Sequence, residues 1–281
     1  MQNTSMPTMH AIAPSLRTLI RRIWTADPDR GAPSAAPPPG REYVLPTGDL
    51  HLVFRLSGPP LKLFDGPLDR HGRRLGFAIV GGARSAFYVK DVTLPSRSIG
   101  VQFKPGAAQA LFGLPAGELS ERHTSLAAQW GEALAESALA RLHEAATPAA
   151  QRALLEDLLL DRWAAHGSAL PHPISAWALR GLRLGFPIER LVEQSGFSHR
   201  HFIALFRAGV GLAPNRYRRV LRLSRALDAL HGEPDVGLAD LALRCGFSDQ
   251  SHFQREFLGF AGMTPQAYRR AGATAPRHVP V

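Results

Sequence analysis

The 281-residue chain contains a single cysteine, Cys245, and only three lysines among its 33 basic residues. One cysteine excludes an internal disulfide framework and every zinc site that needs two or four cysteines. No run approaches the roughly 18 apolar residues that a membrane-spanning helix requires. Arg17, Arg21 and Arg22 interrupt the apolar stretch near the amino terminus, so we do not expect a secretory signal peptide. These absences favour a cytoplasmic protein with no membrane partner.

The signatures of common catalytic sites are also missing. The sequence has no Walker A motif, no G-x-G-x-x-G, no G-x-S-x-G and no H-E-x-x-H. His51 is not accompanied by the additional His and Glu residues of a metal-binding barrel, and His199 and His201 are two apart on a predicted helix, so they point to different sides. Cys245 precedes a turn glycine, where a small buried residue is expected. We therefore predict no metal, no cofactor and no enzymatic activity.

The positive charge is concentrated in the carboxy-terminal part of the chain. The net charge is +10, and residues 172–281 contribute +7 of it, from 15 basic and 8 acidic side chains. All 15 basic residues are arginines, whose planar guanidinium groups match phosphates and guanine edges. A basic segment beside a nearly neutral one indicates a polyanion-binding domain joined to a second domain.

Composition divides the chain into four parts. Residues 1–40 include a Pro/Ala-rich stretch and are expected to form a disordered leader and linker. Leu16, Leu19, Ile20 and Ile23 have helical spacing, which favours a frayed helix or an overextended start of the chain over a short helix on a membrane surface. Residues 41–125 contain short apolar runs separated by Gly and Pro, which predict a β-rich domain. Residues 126–170 have the leucine spacing of linking or dimerisation helices, and residues 172–275 are predicted to be entirely helical.

The helical part contains an internal repeat, with units at about 188–209 and 238–259. The first copy begins L-V-E-Q-S-G-F-S at Leu191, and the second begins L-A-L-R-C-G-F-S at Leu241. Later positions of the repeat recur at an offset of 51 instead of 50, so the second copy has one extra residue. Matches in this order and number indicate a duplicated structural unit.

Each unit has the sequence of a helix-turn-helix. Gly196 and Gly246 suit a left-handed residue at the end of a short helix, and Ser198 and Ser248 are predicted to cap the next helix. That second helix carries two phenylalanines on one face, which predicts a buried stripe. Two helices joined by a tight glycine turn form the helix-turn-helix motif.

These residues resemble the DNA-binding domain of the AraC/XylS family of bacterial transcription regulators. The resemblance covers about 100 residues and is most specific in G-F-S-D-Q-S-H-F-Q-R-E-F, which begins at Gly246, and in the following G-M-T-P-Q-A-Y-R-R. It implies that one long helix, at about Pro214–Leu230, joins the two units. The segments L-P-T-G-D-L-H-L-V-F and G-V-Q-F-K-P-G, beginning at Leu45 and Gly100, resemble the β-rich sensor or assembly domain of some of these regulators.

The fold class expected from both resemblances is α+β. It consists of a barrel-like (cupin-like) amino-terminal domain, connecting helices and an all-α carboxy-terminal domain with two helix-turn-helix units.

Candidate DNA contacts lie on the second helix of each unit, away from the buried phenylalanines. Arg pairs well with guanine and Gln with adenine, whereas Ser and His suit either a base or a phosphate. The candidates for base contacts are His199, Arg200, Ile203, Ala204, Arg207, Gln250, Ser251, His252, Gln254 and Arg255. Four arginines near helix ends are predicted to contact phosphates: Arg218, Arg219, Arg269 and Arg270.

The function predicted from the sequence is transcription regulation by sequence-specific DNA binding. The expected partners are a double-stranded DNA operator, RNA polymerase, a small-molecule effector and a second copy of the chain. Two alternatives remain open at this stage. One is an enzyme with a catalytic amino-terminal barrel that the helical domain merely targets to DNA, and the other is an assembly scaffold that senses no small molecule.

Overall fold

The computed structural model describes residues 8–9, 12–27, 40–166, 172–233, 235–272 and 277–280. Most of the Pro/Ala-rich linker expected before residue 41 lies outside these residues. The described chain has a β-rich amino-terminal part and a helical carboxy-terminal part, which confirms the predicted α+β class.

The strands form two antiparallel sheets. A six-stranded sheet has the order β1-β2-β9-β4-β7-β10, and a five-stranded sheet has the order β11-β3-β8-β5-β6. The described strands therefore form two sheets and not one closed barrel. Their bounds are β1 Thr8–Met9, β2 Ile20–Ala26, β3 Arg41–Val44, β4 His51–Arg55, β5 Leu61–Phe64, β6 Arg73–Gly76, β7 Ala78–Gly81, β8 Tyr88–Asp91, β9 Ser98–Phe103, β10 His123–Ser125 and β11 His278–Pro280.

A 3₁₀ helix at Pro14–Thr18 precedes β2, and the α-helices come after β9. They are α1 Ala107–Phe112, α2 Ala116–Leu119, α3 Ala127–Trp130, α4 Glu132–Glu144, α5 Pro148–Ala165, α6 Pro173–Arg183, α7 Ile188–Ser195, α8 His199–Val210, α9 Pro214–Gly232, α10 Leu238–Arg244, α11 Gln250–Ala261 and α12 Pro265–Arg270. Strand β10 lies between α2 and α3, and β11 comes after α12.

Residues 12–27 are part of the folded domain, so the expectation of a disordered leader, or of a membrane-surface helix, was wrong for them. Leu16 and Ile23 are fully buried, and β2 pairs with the central strand β9. The spacing of Ile20 and Ile23 suggested a helix because residues three apart share a helix face. In the structure the register of β2 shifts between Ile20 and Arg22, and this irregularity lets both isoleucines face the core.

Two hydrophobic cores organise the chain, and they do not divide at the expected domain boundaries. One core lies between the six-stranded sheet and helices α1, α3, α4 and α5. The other joins the five-stranded sheet to the carboxy-terminal helices, and Tyr43 and Val89 of the sheet are buried in it. Val279 on β11 is also fully buried in this core, so the end of the chain returns to the amino-terminal sheet.

We expect Leu16→Ala to lower the free energy of unfolding by about 2–5 kcal/mol, because it removes a fully buried side chain and leaves a cavity. Leu134→Ala makes the same chemical change on α4 at a side chain that is 50% exposed, and should cost no more than about 0.5 kcal/mol. Urea denaturation of both variants measures the difference. Equal stability of Leu16→Ala and the parent protein would mean that this segment is not part of the core.

Candidate nucleic-acid interface

Each unit of the repeat folds as a helix-turn-helix. The first consists of α7 and α8, and the second of α10 and α11. Gly196 and Gly246, at the two turns, have φ angles of 71° and 80°. Both values lie in the left-handed region, which glycine adopts without the strain that a side chain would cause. A tight turn between the two helices is therefore possible in both units.

The second helix of each unit begins with a different type of cap. In the first unit the Ser198 hydroxyl accepts a hydrogen bond from the His201 backbone N–H, at 3.3 Å. In the second unit Asp249 caps the helix, because its Oδ1 accepts from the His252 N–H at 2.7 Å. The prediction that Ser248 is the cap was wrong. The extra residue of the second copy moves the cap position by one, and Ser248 instead donates to Asp249 Oδ2 at 2.9 Å.

The buried faces of α8 and α11 are aromatic. Phe202 and Phe206 have ring centroids 6.3 Å apart, and those of Phe253 and Phe257 are 5.6 Å apart. All four side chains are at most 1% exposed. The opposite face of each helix is consequently the one that remains available to a partner.

The candidate base contacts occupy that available face. Seven of them are exposed, namely His199, Arg200, Ala204, Arg207, Gln250, Ser251 and Arg255, and three are half-buried, namely Ile203, His252 and Gln254. His252 is held in place: its Nδ1 lies 2.9 Å from the Ser248 hydroxyl, and its ring packs against Phe247. The first turn of α11 therefore has an ordered polar surface.

The four predicted phosphate contacts have different environments. Arg270 is exposed, and Arg218 donates to Asn215 Oδ1 at 3.1 Å, so both remain at the surface. Arg269 donates to the backbone carbonyl of Val236, which ties α12 to the segment before α10. Arg219 forms two hydrogen bonds with Glu256, at 2.7 and 2.8 Å. Its charge is neutralised by a carboxylate of α11, so its role in the structure is to join two helices.

Sequence reasoning did not single out Arg222, which lies one turn after Arg219 on α9. Its guanidinium donates to the carbonyl of the turn residue Gly246 at 3.1 Å and lies 4.9 Å from the Phe247 ring centroid. Burial lowers the pKa of Arg222. Helix α9 thus holds the second unit at its turn and, through Arg219, at its second helix. The signal available in the sequence was the spacing of arginines on one face of the helix. The residues that Arg222 contacts are more than 20 residues away in the chain, so the sequence did not identify them.

A second group of polar residues lies between the two sheets. Arg22, Gln102, His51 and Gly81 pair in register across neighbouring strands, and the row ends at His123 on β10. Paired residues project from the same side of a sheet. The ring of Tyr88, on the other sheet, is 4.5 Å from that of His123. Burial lowers the pKa of each of the two histidines to about 3, so both are neutral at pH 7.

Within the described ranges, no three His, Cys, Asp or Glu side chains are grouped closely enough to hold a metal ion. The same part of the chain has no helix that is both long and apolar enough to cross a membrane.

Asp249→Ala should lower the thermal midpoint by a few degrees, because the α11 amino terminus loses its cap. Ser248→Ala is the matched control, since it removes the hydroxyl contacts with Asp249 and His252 but leaves the Asp249 cap, and we expect a smaller change. Thermal unfolding followed by circular dichroism measures both. A larger loss for Ser248→Ala than for Asp249→Ala would contradict the assignment of the cap.

Comparison with known proteins matches both parts of the chain. A family model described as a helix-turn-helix domain matches residues 191–271, and a model described as a domain of unknown function (DUF6597) matches residues 9–125. The HTH-type transcriptional activator RhaR of Klebsiella pneumoniae is 36% identical over 155 residues, which are 52% of this chain and 49% of that protein. The HTH-type transcriptional regulator Rv1931c of Mycobacterium tuberculosis is 36% identical over 86 residues, 31% of this chain and 33% of that protein.

A solved structure of the DNA-binding domain of AdpA in complex with a target DNA is 32% identical. The match covers 35% of this chain and 88% of that domain with a TM-score of 0.31, so the family assignment rests on the sequence matches. The chain spans between about a third and a half of the length of the curated relatives named above. The helix-turn-helix family model, over residues 191–271, includes both turns of the repeat. The carboxy-terminal part of the chain, over residues 191–271, is therefore a double helix-turn-helix domain of the AraC type.

Proposed function

We propose that the protein is a transcription regulator that binds DNA sequence-specifically, with α8 and α11 in two successive major-groove segments. The observation that carries the proposal is the arrangement of two helix-turn-helix units on the single helix α9. Its 19 residues make it about 28 Å long, roughly four-fifths of the ~34 Å of one turn of the DNA duplex. The exposed polar side chains of α8 and α11 would contact bases, and the neighbouring arginines would contact phosphates.

The charge of the helical part supports DNA as the partner. Residues 172–281 carry a net charge of +7, and all basic residues of this segment are arginines. Three of these arginines, Arg200, Arg255 and Arg270, are exposed and so available to phosphates or bases. Because each phosphate contact releases counterions, this electrostatic contribution to the affinity is lost as salt increases.

The amino-terminal domain has a regulatory role in this proposal and catalyses no reaction. Buried polar groups destabilise a protein unless they are paired, and two members of the polar layer between the sheets are paired: His51 Nε2 lies 2.8 Å from the Thr47 hydroxyl, and Gln102 donates to Asp49 Oδ2 at 2.6 Å. His123 and Tyr88 remain suitable for hydrogen bonds to a small polar effector. The polar layer is thus the effector site that we propose.

Two protein partners complete the proposal. RNA polymerase is the partner expected of a regulator in the cytoplasm. A second copy of the chain would bind to α4 and α5, where Leu134 is half exposed on the surface. Analytical ultracentrifugation of the parent protein and of Leu134→Glu tests the second contact.

Affinity for a selected operator should fall by a factor of about 10³ or more between 50 and 200 mM salt if six or more phosphates are contacted. Fluorescence anisotropy with the selected duplex and with a scrambled duplex of equal length measures the slope and the specificity. The selected duplex should remain preferred at every salt concentration. Equal affinity for the two duplexes throughout the series would contradict sequence-specific binding.

Arg255→Ala should weaken binding by roughly 1–3 kcal/mol and relax the preference at one base position, because the exposed guanidinium of α11 suits a guanine edge. Arg180→Ala is the matched control: it removes an exposed arginine of α6, outside both recognition helices. Binding-site selection with each variant measures the preference. If Arg255→Ala weakened binding to all sequences alike, α11 would not be contacting bases through this residue.

A further inference from the structure

Gly211 and Gly262 occupy equivalent positions of the repeat, immediately after the recognition helices α8 and α11. Their φ angles are 96° and 71°. Each backbone N–H closes its helix by donating at 2.9 Å to the carbonyl four residues earlier, that of Arg207 in the first unit and that of Leu258 in the second. The two glycines therefore mark the same point of each unit, at the end distant from the capped first turn.

One segment of the amino-terminal domain contacts both of these points. We call residues 83–87, between β7 and β8, the coupling loop. A Cβ atom added to Gly211 would lie 2.7 Å from the Cβ of Ala83, and one added to Gly262 would lie 2.5 Å from the ring of Phe87. The Phe87 N–H also donates to the carbonyl of Phe260 at 2.9 Å. The loop thus spans the two units at equivalent glycines.

Hydrogen bonds from Ser85 and Arg84 attach the coupling loop to Glu121. The Ser85 N–H and hydroxyl both donate to Glu121 Oε1, at 3.0 and 2.5 Å, and Arg84 donates to the Glu121 carbonyl at 2.7 Å. Glu121 has a φ of 60°, a conformation that no other non-glycine residue among those described adopts. Surrounding contacts must hold a residue in that conformation. The same carboxylate lies 3.7 Å from Arg216 of α9.

Phe87 is fixed from the opposite side by the five-stranded sheet. Its ring centroid is 5.1 Å from that of Tyr43 on β3, and Tyr43 is buried in the core that the sheet shares with the helices. The loop is consequently attached to the sheet, to Glu121 and to both helix-turn-helix units.

We propose that the coupling loop is a positioning element that sets the distance between the two recognition helices and so determines which spacing of DNA half-sites the protein accepts. This inference rests on the proposed function. The loop contacts the carboxy-terminal ends of α8 and α11, whereas the base-contacting residues of a helix-turn-helix lie towards the amino-terminal end. Docking of the loop therefore leaves His199, Arg200 and Gln250 exposed for DNA.

The test is a spacing series with the full-length protein and Phe87→Ala. One base pair inserted between the half-sites moves them by about 3.4 Å and turns them by about 35°. We expect the parent protein to lose at least about tenfold in affinity for the respaced site, and Phe87→Ala to lose about threefold or less. The ratio of the two affinities within each protein is the readout, because a general loss of stability would weaken binding to both sites equally.

Three further variants make the test specific. Phe77→Ala is the matched control, since it removes a phenylalanine that is 39% exposed elsewhere in the same domain, and it should keep the parent ratio. Phe87→Leu should restore most of the ratio because it keeps an apolar side chain against Gly262. Glu121→Ala removes the carboxylate that accepts hydrogen bonds from Ser85 but leaves Phe87 against Gly262. It should reduce the ratio of the two affinities in the same direction as Phe87→Ala. This variant therefore tests the proposal even if Phe87→Ala does not fold.

Two results would overturn the proposal. One is the same ratio in the parent protein and in the folded loop variants, and the other is an equal reduction in Phe77→Ala. Absence of sequence-specific binding by the parent protein at every spacing is a different result. It would contradict the proposed function itself, and the spacing role with it.

Discussion

The packing of α9 between the two helix-turn-helix units is the interaction on which the rest of the structure depends. Tyr217, Val220 and Leu223 are buried along one stripe of this helix. Arg219 and Arg222 extend from it to Glu256 and to the turn at Gly246. The hydrophobic stripe supplies most of the association, since exposed ion pairs contribute little to stability. The two units are thereby joined through one helix, and a single chain carries α8 and α11 together.

The helical domain could be predicted from the sequence because its signals are local. A left-handed glycine, a proline at the first helical position and an aromatic pair four residues apart each determine structure within one or two turns. The same reasoning failed at Ser248, where a single inserted residue moved the cap to Asp249. It also failed for residues 12–27, because an irregular register in β2 gives strand residues the spacing of a helix.

The remaining features depend on residues far apart in the chain and have no local signal. Arg219 pairs with Glu256, which is 37 residues later in the sequence. His278 Nδ1 lies 2.7 Å from Glu42 Oε1, although 236 positions separate the two residues. The return of β11 to the amino-terminal sheet joins the two halves of the chain through one core. For this reason the exposed base-contact candidates could be chosen from the repeat, whereas the roles of individual arginines could not.

Hydroxyl-radical footprinting of a selected operator tests the central claim most directly, namely that one chain places two recognition helices in successive major-groove segments. At protein concentrations where the complex contains one chain, we expect two protected stretches about 10 base pairs apart on the same side of the duplex. A single protected stretch, or two stretches that appear only when a second chain joins the complex, would contradict the account.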